Sequence, residues 1–104
     1  MHRIKILIRK NLKMTAGKVA AQCVHAALGL AKLAPQASDP MLSVVTLFVS
    51  DKKFDEKKAE LDQPLGPQFD LTAPFYVVKD AGYTEVLPGT ETCMAFLEND
   101  PRIS

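Results

Sequence analysis

Tryptophan is absent from this chain of 104 residues, and five Phe with two Tyr are its whole aromatic set. That leaves little for a platform on which nucleobases stack. Cysteine is scarce too: Cys23 and Cys93 form no C-x-x-C pair and no disulfide framework, which points to a reducing compartment. With His2 and His25 they give no metal-ligand spacing, so no metal site is expected. The G-x-x-x-x-G-K-[ST] phosphate loop, the G-x-G-x-x-G turn and the G-x-S-x-G nucleophile elbow are all missing. Long apolar runs are missing as well. The run after Met1-His2-Arg3-Ile4-Lys5 is broken at Arg9 and Lys10, too short for a signal-peptide core or a membrane span. A cytoplasmic protein of one domain (1–104) with no membrane partner is the expectation.

Acidic residues are absent from the first third. Residues 1–34 hold seven cations (Arg3, Lys5, Arg9, Lys10, Lys13, Lys18, Lys32) and no acid, a net of +7. The remaining residues hold six cations against twelve acids, a net of −6. A field of one sign over one part of a surface steers polyanions, and phosphate contacts supply most of the affinity for nucleic acid. The alternative is that the two parts neutralise each other across the fold.

What is present reads as alternating strands and helices. Ile4, Ile6 and Ile8 alternate with Arg3, Lys5 and Arg9, with Leu7 on the opposite face, which predicts a strand buried mainly on one side. Thr15 is placed to cap a helix from Gly17 to about Ala34, whose core stripe is Val19, Cys23, Ala26, Ala27, Leu30 and Leu33. Leu42 to Ser50 is a near-continuous apolar, β-branched run, expected to be a strand covered on both faces. Asp51 to about Leu61 fits a short charged helix with Phe54 and Leu61 turned inward. Gln63-Pro64-Leu65-Gly66-Pro67 permits only a turn. Phe75 to Lys79 and Thr92 to Leu97 are the third and fourth strands. The alternation predicts a layered α/β fold.

Two segments carry polar groups of chemical interest. Lys18, Gln22 and His25 fall at i, i+4 and i+7 on one helical stripe, expected to face away from the core. Lys18 stands in the first turn, where its ammonium adds to the positive end of the helix dipole; that costs stability unless an anion arrives. Asp80 sits at the carboxyl end of a strand, where α/β sheets present chemistry, and Thr84, Thr90 and Thr92 follow within a turn-rich loop.

The stretch Leu12-Lys13-Met14-Thr15-Ala16-Gly17-Lys18-Val19-Ala20-Ala21-Gln22-Cys23-Val24-His25-Ala26-Ala27 resembles the first signature of type II peptidyl-tRNA hydrolases, D-L-K-M-x-x-G-K-x-A-A-Q-C-x-H-A. Asp80-Ala81-Gly82-Tyr83-Thr84-Glu85-Val86-Leu87-Pro88-Gly89-Thr90-Glu91-Thr92 is similar to the second, D-A-G-R-T-Q-I-x-P-G-[ST]-x-T. The resemblance implies a three-layer α/β/α sandwich around a four-stranded mixed sheet with the last strand antiparallel. It implies cleavage of the ester joining a peptide to the terminal ribose of tRNA, with tRNA as partner and no metal or organic cofactor. Carried over, the functional positions are Lys13, Lys18, Gln22, His25, Asp80, Thr84 and Thr92. The chain departs from the pattern at Asn11 (usually Asp), Tyr83 (usually Arg) and Glu85 (usually Gln). Phe96-Leu97-Glu98-Asn99 replaces a glycine-rich segment, and a helix between the first helix and second strand is missing.

Ester hydrolysis needs an aimed water and stabilisation of the oxyanion. The expected catalytic set is Asp80, orienting water through a Thr84 or Thr92 hydroxyl, with Lys18 stabilising the developing charge. Lys13 is expected on a phosphate, Gln22 on the ribose or peptide carbonyl, and His25 in support of the loop. The alternatives are a non-catalytic relative that binds RNA or a nucleotide, and a dimeric interaction module. A sheet with an uncovered edge gains from pairing, so a homodimer is a further expected partner.

Overall fold

The computed structural model describes residues 2–66, 69–72, 74–80 and 89–99. Its centre is β1 (His2–Arg9), flanked in parallel by β2 (Val44–Val49) and antiparallel by β6 (Glu91–Asn99). β6 also pairs antiparallel with β5 (Phe75–Lys79), giving the order β2-β1-β6-β5. Only β6 opposes the other three. This is the mixed sheet with the antiparallel last strand that the resemblance implied.

α1 (Ala16–Leu33) covers one face and α2 (Asp51–Leu61) the other, so the layers are α/β/α. The alternation along β1 decides the division. Ile4, Ile6 and Ile8 join Ala26 and Leu30 of α1, while Leu7 joins Phe54 and Leu61 of α2. Both helices are capped by hydroxyls: Thr15 accepts from the Lys18 N–H at 3.3 Å and Ser50 from the Lys53 N–H at 3.2 Å. Each cap satisfies one of the orphan donors of a first turn.

Three expectations fail. The segment from Gln63 holds more than a turn: β3 (Pro64–Gly66) pairs antiparallel with β4 (Phe69–Thr72) in a separate two-stranded ribbon. Proline is tolerated there because it begins the strand, where no ladder N–H is required. β2 is not covered on both faces; it is an edge strand, with Val44, Leu47 and Phe48 exposed. Its apolar run anticipated cover that α1, lying over β5, β6 and β1, does not reach. Leu33 is exposed instead of buried. It lies in the last turn of α1, just before the chain leaves the helix through Ala34 and a 3-10 turn at Pro35–Ser38.

The charge split is largely absorbed by ion pairs. Arg3 and Lys5 reach Glu98, Arg9 reaches Asp51, Asp55 and Glu91, and Lys18 reaches Asp80. Of the seven early cations, Lys10, Lys13 and Lys32 stay exposed with no acidic partner among the described residues. Neutralisation across the fold, the second reading of the charge pattern, therefore accounts for most of the basic third. Arg9 also lies over the Phe54 ring, 4.2 Å from its centroid. Burial opposes its charge, but hydrogen bonds to Asp51 and Asp55 prevail and its pKa rises.

Candidate functional site

β1 and β5 both run antiparallel to β6 and lie on either side of it, so their carboxyl ends share one pole of the sheet, roughly 10 Å apart. α1 begins a short loop after β1, and Asp80 follows directly on β5. Topology alone therefore brings Lys18 toward Asp80 across 62 residues of sequence. Lys18 Nζ donates to Asp80 Oδ1 at 2.7 Å, with side chains only 11% and 5% exposed. The anion that the first turn of α1 demanded comes from the chain itself.

Asp80 is anchored by the backbone at the mouth of its loop. Its N–H donates to the Thr90 carbonyl at 2.9 Å, and its carbonyl accepts from the Gly89 N–H at 2.7 Å. Gly89 has φ of +80°, a conformation costly for any residue with a Cβ. Thr84, together with Tyr83 and Glu85, lies outside the described residues.

Thr92 reaches the site through a register slip. β5 and β6 pair Val78 with Cys93 but Lys79 with Glu91, which leaves Thr92 unpaired as a bulge. Strict alternation would send Thr92 to the α2 face, opposite its neighbour Cys93. The bulge turns it to the α1 face instead, as bulges beside functional sites commonly do. There Thr92 Oγ1, wholly buried, donates to Gln22 Oε1 at 3.0 Å, with the Val78 carbonyl a second acceptor at 3.4 Å. Thr92 was expected, as the alternative to Thr84, to bond Asp80; its hydroxyl goes to Gln22.

Gln22 was expected on a stripe facing away from the core, yet it is only 4% exposed. Its backbone carbonyl accepts from the Cys93 thiol at 3.3 Å, so both ends of the residue are tied to β6. With Oε1 turned to Thr92, the amide NH₂ is presented toward the cleft that Gln22 lines. That cleft, about 850 Å³, runs between α1 and β5 and is lined by Lys18, Gln22, His25, Val78 and Asp80 among others. Exposed His25 lies along its α1 wall. Lys13 does not line it. It stands exposed at the turn before α1, in the left-handed region at φ 53°, strained backbone for a lysine.

Two departures from the family pattern acquire partners. Asn11 Nδ2 donates to Asp51 Oδ2 at 3.1 Å, where the usual aspartate would set two carboxylates face to face. That bond, ahead of the one from Arg9, lowers the pKa of Asp51. Where the family has glycines, Phe96 fills the α2-side core and Glu98 pairs with Arg3 at 2.6 Å, so β6 stays paired with β1 as far as Asn99 opposite His2. No group of three or more His, Cys, Asp or Glu that could hold a metal occurs among the described residues.

A layered α/β protein with an ammonium–carboxylate pair and a buried amide at the carboxyl ends of parallel strands is built to present polar groups to a ligand at that pole. Residues 2–100 match the family described as Peptidyl-tRNA hydrolase PTH2, and the chain belongs to that family. It is 35% identical to a peptidyl-tRNA hydrolase of Methanopyrus kandleri, over 90% of this chain and 82% of that protein. The corresponding protein of Thermococcus onnurineus is 36% identical, over 86% and 78%. Peptidyl-tRNA hydrolase 2 of Saccharomyces cerevisiae is 33% identical over 88% of this chain but only 48% of its own length.

Burial pushes the Cys93 thiol up to about 12, with nearby Cys23 adding to the shift, while half-buried Cys23 is raised by burial alone. Since the thiolate is the reactive form, Cys93 should be inert toward a disulfide reagent at neutral pH and Cys23 slow but accessible. Thiol counting should give one group in the native protein and two after denaturation. Unfolding returns Cys93 to ordinary acidity, so its contribution to stability is intact below about pH 9 and fades as pH rises toward 12. Two native thiols reacting at equal rates would contradict this placement.

Proposed function

We propose that this protein hydrolyses the ester between a peptide, or an N-blocked amino acid, and the terminal ribose of tRNA. The observation that carries the reading is the buried 2.7 Å contact of Lys18 with Asp80 on the wall of the cleft. An ammonium has three N–H donors, and among the described residues only Asp80 takes one. The other two can meet the carbonyl oxygen of a bound ester and its oxyanion as water adds. The Asp80 carboxylate holds the ammonium in place and accepts a hydrogen bond from the attacking water, orienting it and drawing off its proton. As the tetrahedral carbon collapses to the free carboxylic acid, its bond to the ribose oxygen breaks and that oxygen takes back the proton held on Asp80, leaving as the hydroxyl. The Gln22 NH₂, held by Thr92, positions the ribose or the peptide carbonyl, which makes Thr92 a positioning residue. His25 supports the cleft wall, Thr84 remains a candidate to orient the water, and Lys13 serves a phosphate of the acceptor end. A substrate that arises in translation puts the protein in the cytoplasm, consistent with the absence of any helix among the described residues long and apolar enough to cross a membrane.

Release of acetyl-amino acid from N-acetyl-aminoacyl-tRNA tests this directly. One oxyanion contact is worth about 3–4 kcal/mol of barrier, so Lys18→Ala should slow turnover by roughly two to three powers of ten with the fold retained. Wild-type binding of the substrate without release would leave the non-catalytic alternative. With ~3 phosphates neutralised, the plot of log affinity against log salt should slope near −2. A steeper slope would mean that some of the paired cations open to meet the RNA.

We also propose a homodimer through the free edge of β2. Val44–Val49 carries no charge and no proline, the usual protections of an exposed edge. Two-fold pairing centred on Thr46 would set Val44 against Phe48 on one face and Val45 against Leu47 on the other. Light scattering should give twice the chain mass, and Thr46→Pro should give monomers that keep activity. A wild-type chain that stays monomeric at its highest soluble concentration would rule this out.

A further inference from the structure

The cleft does not stop at the ion pair. It continues along α1 past His25 to Leu28, Gly29 and Lys32, and along β5 from Asp80 back to Tyr76. Tyr76 and Asp80 stand four residues apart, about 13 Å along the strand line, roughly the span of a nucleoside with an ester on its ribose. Tyr76 is 39% exposed on this wall, yet its ring is seated. A Cβ added at buried Gly29 would run into Cγ, Cδ2 and Cε2 of the ring. Only glycine at that position lets the ring lie against the helix.

Most of the charge around this seat is of one sign: among the described residues Lys32 and Lys79 line it with Lys18, and the only acid in the lining is Asp80, which already holds Lys18. A fixed, half-open aromatic ring among cations suits a flat ligand bearing phosphates, because a base stacks on the ring while ammonium groups meet the anion. Resting on the reading of Lys18 and Asp80 as the ester-cleaving pair, we infer that Tyr76 is the platform for the terminal adenine of the tRNA acceptor end, with Lys32 meeting the phosphate on its 5′ side. The peptide differs from one substrate to the next, whereas the adenosine bearing the ester is common to all of them. A preformed rigid seat fits the invariant part.

The test pairs turnover with binding. For N-acetyl-aminoacyl-tRNA, Tyr76→Ala should raise KM about tenfold or more, the usual loss for one base–aromatic stack, with kcat changed far less. Tyr76→Phe should restore KM, since the ring and not the hydroxyl does the stacking. Gly29→Ala should reproduce the KM defect by displacing the ring. In calorimetry, Tyr76→Ala should weaken binding of the trinucleotide CCA by a similar factor and leave the affinity for N-acetylphenylalanine amide as it was. If the mutation weakens the amino-acid amide and spares CCA, the seat belongs to the peptide and the inference is overturned. Equal CCA binding by wild type, Tyr76→Ala and Gly29→Ala also overturns it, whatever the turnover. Failure of the hydrolase reading shows separately, as full activity of Lys18→Ala or no turnover by the wild type, and the CCA titration still decides the role of Tyr76.

Discussion

The contact between Lys18 and Asp80 is the constraint around which this pole of the molecule is organised. An ammonium in the first turn of a helix works against the helix dipole, and a carboxylate at the end of a buried strand loses its water. Each residue would be a liability alone; at 2.7 Å each supplies a counter-charge to the other. Buried pairs of this kind are seldom a net source of stability, because desolvation offsets most of the Coulombic gain. A sequence selected only for folding could put apolar residues here at little cost. What the pair provides is a fixed, partly desolvated charge arrangement, and charges so placed act on a polar ligand more strongly than they would in open water.

Fixing that pair requires β1 and β5 to hold their spacing, and β6 between them does this. The bulge at Thr92 lets one strand serve two purposes: Met94 and Phe96 continue into the α2-side core, while Thr92 and Cys93 both turn to Gln22. Gln22 is thereby clamped through its side-chain oxygen and its backbone carbonyl, one turn along α1 from Lys18. Rotation of α1 about its axis would break both bonds and withdraw Lys18 from Asp80. Lys18, Gln22 and Thr92 are thus held by packing and hydrogen bonds on rigid elements, with Asp80 at a loop mouth.

Much of this was legible in the sequence. Alternation in Ile4–Ile8 gave β1 its face, Thr15 announced the start of α1, and Phe54 and Leu61 marked the buried side of α2. The order of the two signature segments was enough to bring Lys18 and Asp80 to one pole. What stayed hidden depends on relations between strands. Nothing local in Glu91-Thr92-Cys93 reveals a bulge, so Thr92 reads, beside Thr84, as a partner of Asp80, and Gln22 as part of a stripe facing away from the core. The apolar run of β2 reads like a central strand because composition reports the cover that a strand calls for, and not whether a neighbouring helix reaches it. The excess of early cations fitted a nucleic-acid footprint and neutralisation across the fold equally well until the fold set Glu98, Asp51, Asp55 and Asp80 against most of them.

The departures at Asn11, Phe96 and Glu98 each come with a partner. Asn11 and Asp51 form one pair, because a carboxylate at position 11 would repel the residue that begins α2 beside Arg9. Glu98 and Phe96 form another set with Arg3 and Lys57, carrying β6 on to Asn99 and covering its far end with an ion pair and a cation over a ring. Asn11 lies in the 3-10 turn after β1 and Phe96 and Glu98 lie on β6, all outside the lining of the cleft, while Tyr83 and Glu85 fall outside the described residues. The missing helix is different, since no described segment takes its place over β2, where Phe48 and Thr46 line an open apolar groove with Ala16, Val19 and Ala20 of α1. That groove lies on the side of the sheet away from β5. The described lining of the cleft, on α1 and β5, includes no residue of β2, so a helix missing over β2 would not alter it.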